Sequence, residues 1–169
     1  FKKITMVSVT DFKDAMAKLT TAVHVITTDG VAGRHGFTAS AVCSVTDTPP
    51  TLLVCMNTNI GFYDNFVKNG VLMVNTLTAE QSHLSNTFAS RLNSDERFGH
   101  GTWDTLTTGS PMLNDALISF DCKISEIKEV GTHGVFICEI IAIRQGDSDK
   151  ALTYFNRNYH KTDDGTALV

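Results

Sequence analysis

Charge is scarce in this chain of 169 residues: 19% are Asp, Glu, Lys or Arg, below the roughly 25% of an average soluble domain. What charge there is leans acidic, at a net −4, so no basic surface is present to recruit nucleic acid or anionic lipid. No apolar run approaches the ~20 residues of a membrane span. No signal-peptide pattern opens the chain either, and a cytoplasmic location is expected. Neither GxGxxG nor GxxxxGK[ST] occurs, which removes support for a Rossmann or P-loop nucleotide site. The histidines form no HExxH and the cysteines no CxxC, so no metal is expected. Cys43, Cys55, Cys122 and Cys138 sit in apolar or alternating stretches and read as buried, reduced thiols.

Hydrophobic residues supply 42% of the chain, enough for a core, and a single domain over 1–169 is expected. With so little charge, part of its surface is expected to be covered by a second subunit. Phe12, Ala15, Met16 and Leu19 recur at helical spacing behind Thr10, which predicts a helix from Asp11 capped by that threonine. Strands are predicted over 22–28, 37–45, 51–56 and 71–77, the second and third separated by the turn-forming DTPP. A short helix is predicted over 61–70, ending near Gly70. Thr78 and Gln81 resemble a capping box opening a helix through Leu84 and Phe88. Residues 91–111 read as irregular, with an isolated Trp103. Two long alternating strands follow. Ile118, Phe120, Cys122 and Ile124 share one face of the first, with Ser119, Asp121 and Lys123 opposite. Val135, Ile137, Ile141 and Ile143 share a face of the second. A last short strand is predicted at 151–155. Strands outnumber helices and do not alternate with them. The pattern predicts a mainly β fold, a closed or partly closed antiparallel barrel with peripheral helices.

Four clusters could carry chemistry. The run Thr38-Ala39-Ser40-Ala41-Val42-Cys43-Ser44 is unusually small and hydroxylic. Alternation puts Thr38, Ser40, Val42 and Ser44 on one face and Ala39, Ala41 and Cys43 on the other. Small side chains let a flat ligand approach the backbone, although a close sheet-to-helix contact has the same composition. Asn57-Thr58-Asn59 ends a strand, where short polar groups either hold a phosphate or simply make a turn. Gly131-Thr132-His133-Gly134 enters a strand with a lone histidine. Tyr154 to His160 combines aromatics with Arg157, suited to covering a nucleotide or packing on a partner. Asp95-Glu96-Arg97-Phe98 reads as an ion-paired loop.

Taken in order, GFTASAVCSVTDTPPTLLVCMN, VNTL with Gln81, Phe88-Ala89, Arg97-Phe98, SFDC, GTH and the terminal Tyr-His resemble the short-chain flavin reductase family. These are the reductase components of two-component flavin-dependent monooxygenases. Within the family the chain is similar to the reductases of the pyrimidine-utilisation and 4-hydroxyphenylacetate 3-monooxygenase systems. The resemblance implies a split β-barrel, a homodimer, and use of NADH or NADPH to reduce FMN or FAD for a partner oxygenase. It also implies that Thr38, Ala39, Ser40, Ala41, Val42 and Ser44 back the isoalloxazine ring. Asn57, Thr58 and Asn59 would meet the ribityl phosphate, and Phe88 and Ala89 would close over the flavin. His133 would stand near the nicotinamide as the catalytic-site histidine, with Tyr154, Arg157 and Tyr159 bordering the nicotinamide nucleotide. Ile60 departs from the pattern, since relatives often carry a small hydroxyl residue there. The rival readings are a flavin-binding module without reductase activity and a structural dimer with no ligand.

Overall fold

Branched and aromatic side chains pack well on a pleated surface, so runs rich in them fold as strands. The computed structural model describes residues 6–162. It opens with α1 (Val9–Met16), β1 (Thr21–Ala22), β2 (His24–Thr28), β3 (His35–Ala39), β4 (Val42–Asp47) and β5 (Pro50–Asn57). Next come α2 (Tyr63–Asn69), β6 (Val71–Thr76), α3 (Ser82–Phe88), α4 (Ser94–Phe98), β7 (Trp103–Asp104) and β8 (Met112–Leu113). The long β9 (Ile118–Val130) and β10 (His133–Gln145) precede a terminal hairpin, β11 (Leu152–Phe155) and β12 (Asn158–Lys161). No helix among the described residues is long and apolar enough to cross a membrane.

Seven strands form one antiparallel sheet in the order β3-β2-β6-β9-β10-β5-β4. Its two edges, β3 and β4, are consecutive in the chain, joined only by Ser40 and Ala41. Laid flat, seven strands would hold their edges about 29 Å apart, at ~4.8 Å per step. Three Cα steps, from Ala39 to Val42, reach roughly 11 Å at most. The sheet must therefore curl until its edges meet. They do not pair, so the barrel is closed by the chain and left open in its hydrogen bonding. This is the split barrel that the resemblance implies.

Inside the barrel lie Ile26, Val54, Met56, Leu72, Val74 and Phe136, plugged by Tyr63 and Phe66 of α2. That helix stops at Gly70, whose φ of 68° is costly for any residue with a Cβ. A second core lies outside the sheet, where Val23, Val25, Leu77, Leu84, Phe88 and Phe98 pack together.

Several expectations need correction. The predicted strand over 37–45 breaks at Ser40–Ala41. Ala39 and Val42, placed on opposite faces by strict alternation, both pack on the barrel core. The first helix begins at Val9, because the Ser8 hydroxyl accepts the Asp11 amide at 3.0 Å and Thr10 is already helical. Gln81 does bond the Thr78 amide at 2.9 Å, but the helix starts only at Ser82. Residues 91–111 contain α4 and β7, and Trp103 is not isolated: its ring packs on Phe88 and Phe98. The Asp95–Phe98 segment is helical. Asp95 does pair with Arg34 at 3.3 Å, while Arg97 donates to the Gly36 and Ser90 carbonyls. On β10 the inward residues are Gly134, Phe136 and Cys138; Val135 and Ile137 lie half-buried and Ile143 is exposed.

Asp121, assigned to the polar face of its strand, is fully buried. Its carboxylate accepts the Thr107 amide at 2.7 Å, the Thr108 amide at 2.9 Å and the Thr108 hydroxyl at 2.5 Å. These bonds pin the 105–111 loop to β9. Asp121→Ala leaves those donors without an acceptor and is expected to cost about 2–4 kcal/mol. A denaturant midpoint unchanged by the substitution would contradict this role.

Candidate functional site

The split in the sheet leaves two strand edges whose outer backbone groups have no ladder partner among the described residues. Between them the Val42 amide bonds the Ser40 carbonyl at 3.0 Å, a three-residue turn centred on Ala41. Ser40 and Ala41 are both exposed, and neither carries more than one side-chain heavy atom beyond Cβ. Unpaired amides and carbonyls beside small side chains suit the hydrogen-bonding edge of a flat heterocycle. The run therefore divides by residue. Thr38 donates to the Ser85 carbonyl at 2.7 Å, Ala39 is core, Val42 is half-buried, and Ser40, Ala41 and Ser44 are exposed.

The Ala41 carbonyl accepts the Cys55 amide at 3.0 Å, which leads from the split to the end of β5 two residues on. There Asn57 stands opposite His133 of β10 in register. The Thr58 amide and hydroxyl both bond the Thr132 carbonyl, at 2.9 and 3.1 Å. Asn57 accepts the Asn59 amide through its side chain at 2.9 Å. Thus two clusters far apart in sequence, Asn57–Asn59 and Thr132–His133, become neighbours. The exposed His133 ring is held by the Thr132 hydroxyl at 2.9 Å from Nδ1.

On the other side of the split, Thr38, Ala39 and Ser40 form one wall of a cleft of about 160 Å³, closed by Ser85, Tyr154 and Tyr159. Ser40 and Tyr154 continue into a wider groove of about 390 Å³ bordered by Phe12, Met16 and Arg157. The terminal tyrosines thus meet the small-residue run. Arg157 is engaged by Asp14 at 2.6 Å. Phe88 lies elsewhere in detail: its ring is 1% exposed, edge-on to Phe98, and only Ala89 after it is exposed. A Cβ on Gly36 would come within 2.8 Å of that ring, so glycine lets the helix lie close on β3.

Ser85 and His24 were assigned no role in the sequence reading, and Arg97 appeared there only in an ion-paired loop and in the family resemblance. Ser85 links helix to wall, and nothing in its local pattern marks it. Arg97 staples α4 to β3 through the Gly36 carbonyl at 2.6 Å, and burial lowers its pKa. His24 lies beside Ala39 in register, its Nδ1 2.9 Å from the Thr76 hydroxyl. Burial pushes that imidazole down to about 4, so it is neutral near pH 7. Burial also raises the Cys55 thiol, with Cys43 adding to the effect.

Comparison with known proteins identifies relatives of the chain. A family model described as flavin reductase like domain matches residues 16–163. The protein named FMN reductase (NADH) RutF from Serratia proteamaculans is 55% identical over 150 residues, 89% of this chain and 86% of its own. A solved structure of a flavin reductase candidate from Haemophilus somnus 129PT shares 65% identity with a TM-score of 0.90, covering 92% of this chain and 100% of that one. BorF, the flavin reductase component of a bacterial two-component tryptophan halogenase, shares 26% identity at a TM-score of 0.86, covering 93% and 99%.

The split also separates two outcomes that composition could not. Ala39→Leu overpacks the core, at a cost of about 1–3 kcal/mol, and is expected to lower the melting temperature. Ala41→Leu projects from an exposed turn. It is expected to leave melting unchanged and to weaken binding of a flat ligand by roughly 5- to 150-fold, the same energy spent at the wall. Thermal melts and FMN titrations of both variants check this; Ala41→Leu with undiminished FMN affinity would remove the ligand from this turn.

Proposed function

The chain belongs to the flavin reductase family, and from that premise we propose that it uses NADH to reduce FMN, or FAD, and releases the reduced flavin to a flavin-dependent monooxygenase. The observation that carries this reading is the strip running from Thr38 and Ser40 through Ala41 and Cys55 to Asn57–Asn59 and His133. Flavin, when bound, supplies the redox chemistry by accepting a hydride from the nicotinamide.

The chain's own residues bind, orient and exclude. Ser40 and Ala41 leave room for a ring system against backbone amides, with Thr38, Ala39, Val42 and Ser44 setting the strands on either side. Asn57, Thr58 and Asn59 offer short amides and a hydroxyl suited to a ribityl phosphate. His133, steadied by Thr132, stands next to them and is assigned to the nicotinamide side. Tyr154 and Tyr159 border the cleft on the other side of the split and Arg157 the groove that continues from it, while Phe88 contributes by packing behind the wall and Ala89 by its exposed position. No acid–base pair is required, because orientation and stacking are the protein's part. A site made of backbone and small hydroxyls holds its ligand by hydrogen bonds and contacts, which suits a flavin that must leave.

We further place the chain as one catalytic domain in a homodimer. No residue of α1 is buried, and Val9, Phe12 and Met16 are exposed by 70, 58 and 46%. Strand β4 is exposed over Cys43–Asp47. A second copy covering these apolar faces accounts for the low surface charge. Free thiols and NADH use fit a cytoplasmic setting.

NADH oxidation that depends on added FMN is expected in a steady-state absorbance assay. No loss of NADH absorbance with FMN, FAD or riboflavin would contradict the reading. His133→Ala is expected to raise the NADH KM several-fold with FMN affinity nearly unchanged. The reverse pattern would move His133 to the flavin side.

A further inference from the structure

Ser85 sits in the middle of α3, fully buried, and serves two neighbours at once. Its carbonyl accepts the Thr38 hydroxyl at 2.7 Å, which ties the helix to the wall strand. Its Oγ lies 2.6 Å from the hydroxyl of Tyr159 on β12. That phenol has one proton and donates it to Asn86 Oδ1 at 3.2 Å. Ser85 is therefore the donor in the shorter bond.

Tyr159 packs at a tilt against Tyr154, 5.4 Å between ring centroids, and together they roof the cleft over Thr38, Ala39 and Ser40. The space beneath is about 160 Å³ and opens past Ser40 and Tyr154 into the groove of about 390 Å³, so the tyrosine pair narrows the way to the wall without sealing it.

The outer strand and tip of the roof are its least anchored part. In the small sheet of β1, β11 and β12, Leu152 of β11 is buried and its amide bonds the Leu77 carbonyl at 3.2 Å, whereas every residue of β12 is exposed. Its turn places Asn156 and Arg157 at φ 50° and 63°, the paired left-handed geometry of a tight hairpin. At its tip the hairpin is held by the Asn156 amide on the Ala17 carbonyl at 2.7 Å and by the exposed Arg157–Asp14 pair. Exposed pairs of this kind hold weakly, and sparsely buried elements are the first to open.

We propose that Ser85 is a positioning residue for the reaction: its hydroxyl latches the β11–β12 hairpin over the wall, and release of Tyr159 from Ser85 admits the flavin. This rests on the reductase reading. While the latch holds, only a fraction of molecules is competent to bind, and the apparent affinity is reduced by that fraction.

Stopped-flow quenching of FMN fluorescence measures entry directly. Ser85→Ala and Tyr159→Phe are each expected to raise the association rate constant by roughly 3- to 10-fold, the equivalent of about one net hydrogen bond. The double variant is expected to gain no more than Tyr159→Phe alone, because that change already removes the Ser85 bond along with the one to Asn86. Should Ser85→Ala fail to fold, Tyr159→Phe carries the test, since that ring is 36% exposed at the surface. Unchanged association rates would overturn the latch. Slower association or weaker binding in both variants would overturn it too, and would make the two hydroxyls direct ligand contacts. Wild-type protein that captures no flavin would overturn the reductase reading, and the latch with it.

Discussion

Everything in this molecule depends on a length mismatch: a seven-stranded sheet whose two edges are tied together by two residues. The tether forces the sheet to curl, and the curl creates an interior for Phe66, Met56 and Phe136. It also prevents completion of the ladder, because Ser40 and Ala41 turn between β3 and β4 instead of continuing either. An unfinished ladder is normally a hazard, since unpaired strand edges invite aggregation. Here it supplies a recess of exposed backbone lined by side chains too small to fill it. Structural necessity and binding capacity come from the same two residues.

The surroundings answer to that recess. Ala41 reaches Cys55 and so brings Asn57 and His133 alongside; Thr38 reaches Ser85 and so brings α3 and the terminal tyrosines from the other side. Gly36 permits the close approach of Phe88 that sets α3 in place, and Arg97 fixes α4 to the same strand. The chemistry asked of these groups is modest. On the proposed reading they hold two flat, reactive molecules face to face, which removes much of the entropy of their encounter, and then let one of them go.

Much of this was legible in the sequence. Branched runs gave the strands, Gly70 gave a helix end, and the unusual smallness of 38–44 marked the wall. The placement of β3 and β4 at opposite edges was not legible, since pairing order is a tertiary property that alternation cannot encode. A strict period of two carried the reading straight through Ser40–Ala41 and set Val42 on the wrong face. Asp121 and Trp103 were misplaced for a similar reason: their partners, Thr107–Thr108 and Phe88, come from segments with no regular pattern. Ser85 was invisible because a buried serine in a short helix has no signature until the residue facing it is known.

The central claim, that flavin rests on the split, is tested most directly by backbone amide chemical shifts as the protein is titrated with oxidised FMN. The account predicts that the largest changes fall on Thr38–Ser44 and Asn57–Asn59, with smaller ones at Tyr154 and Tyr159. Changes concentrated instead around His35, Phe62 and Arg97, which line a separate cleft of about 170 Å³, would contradict it.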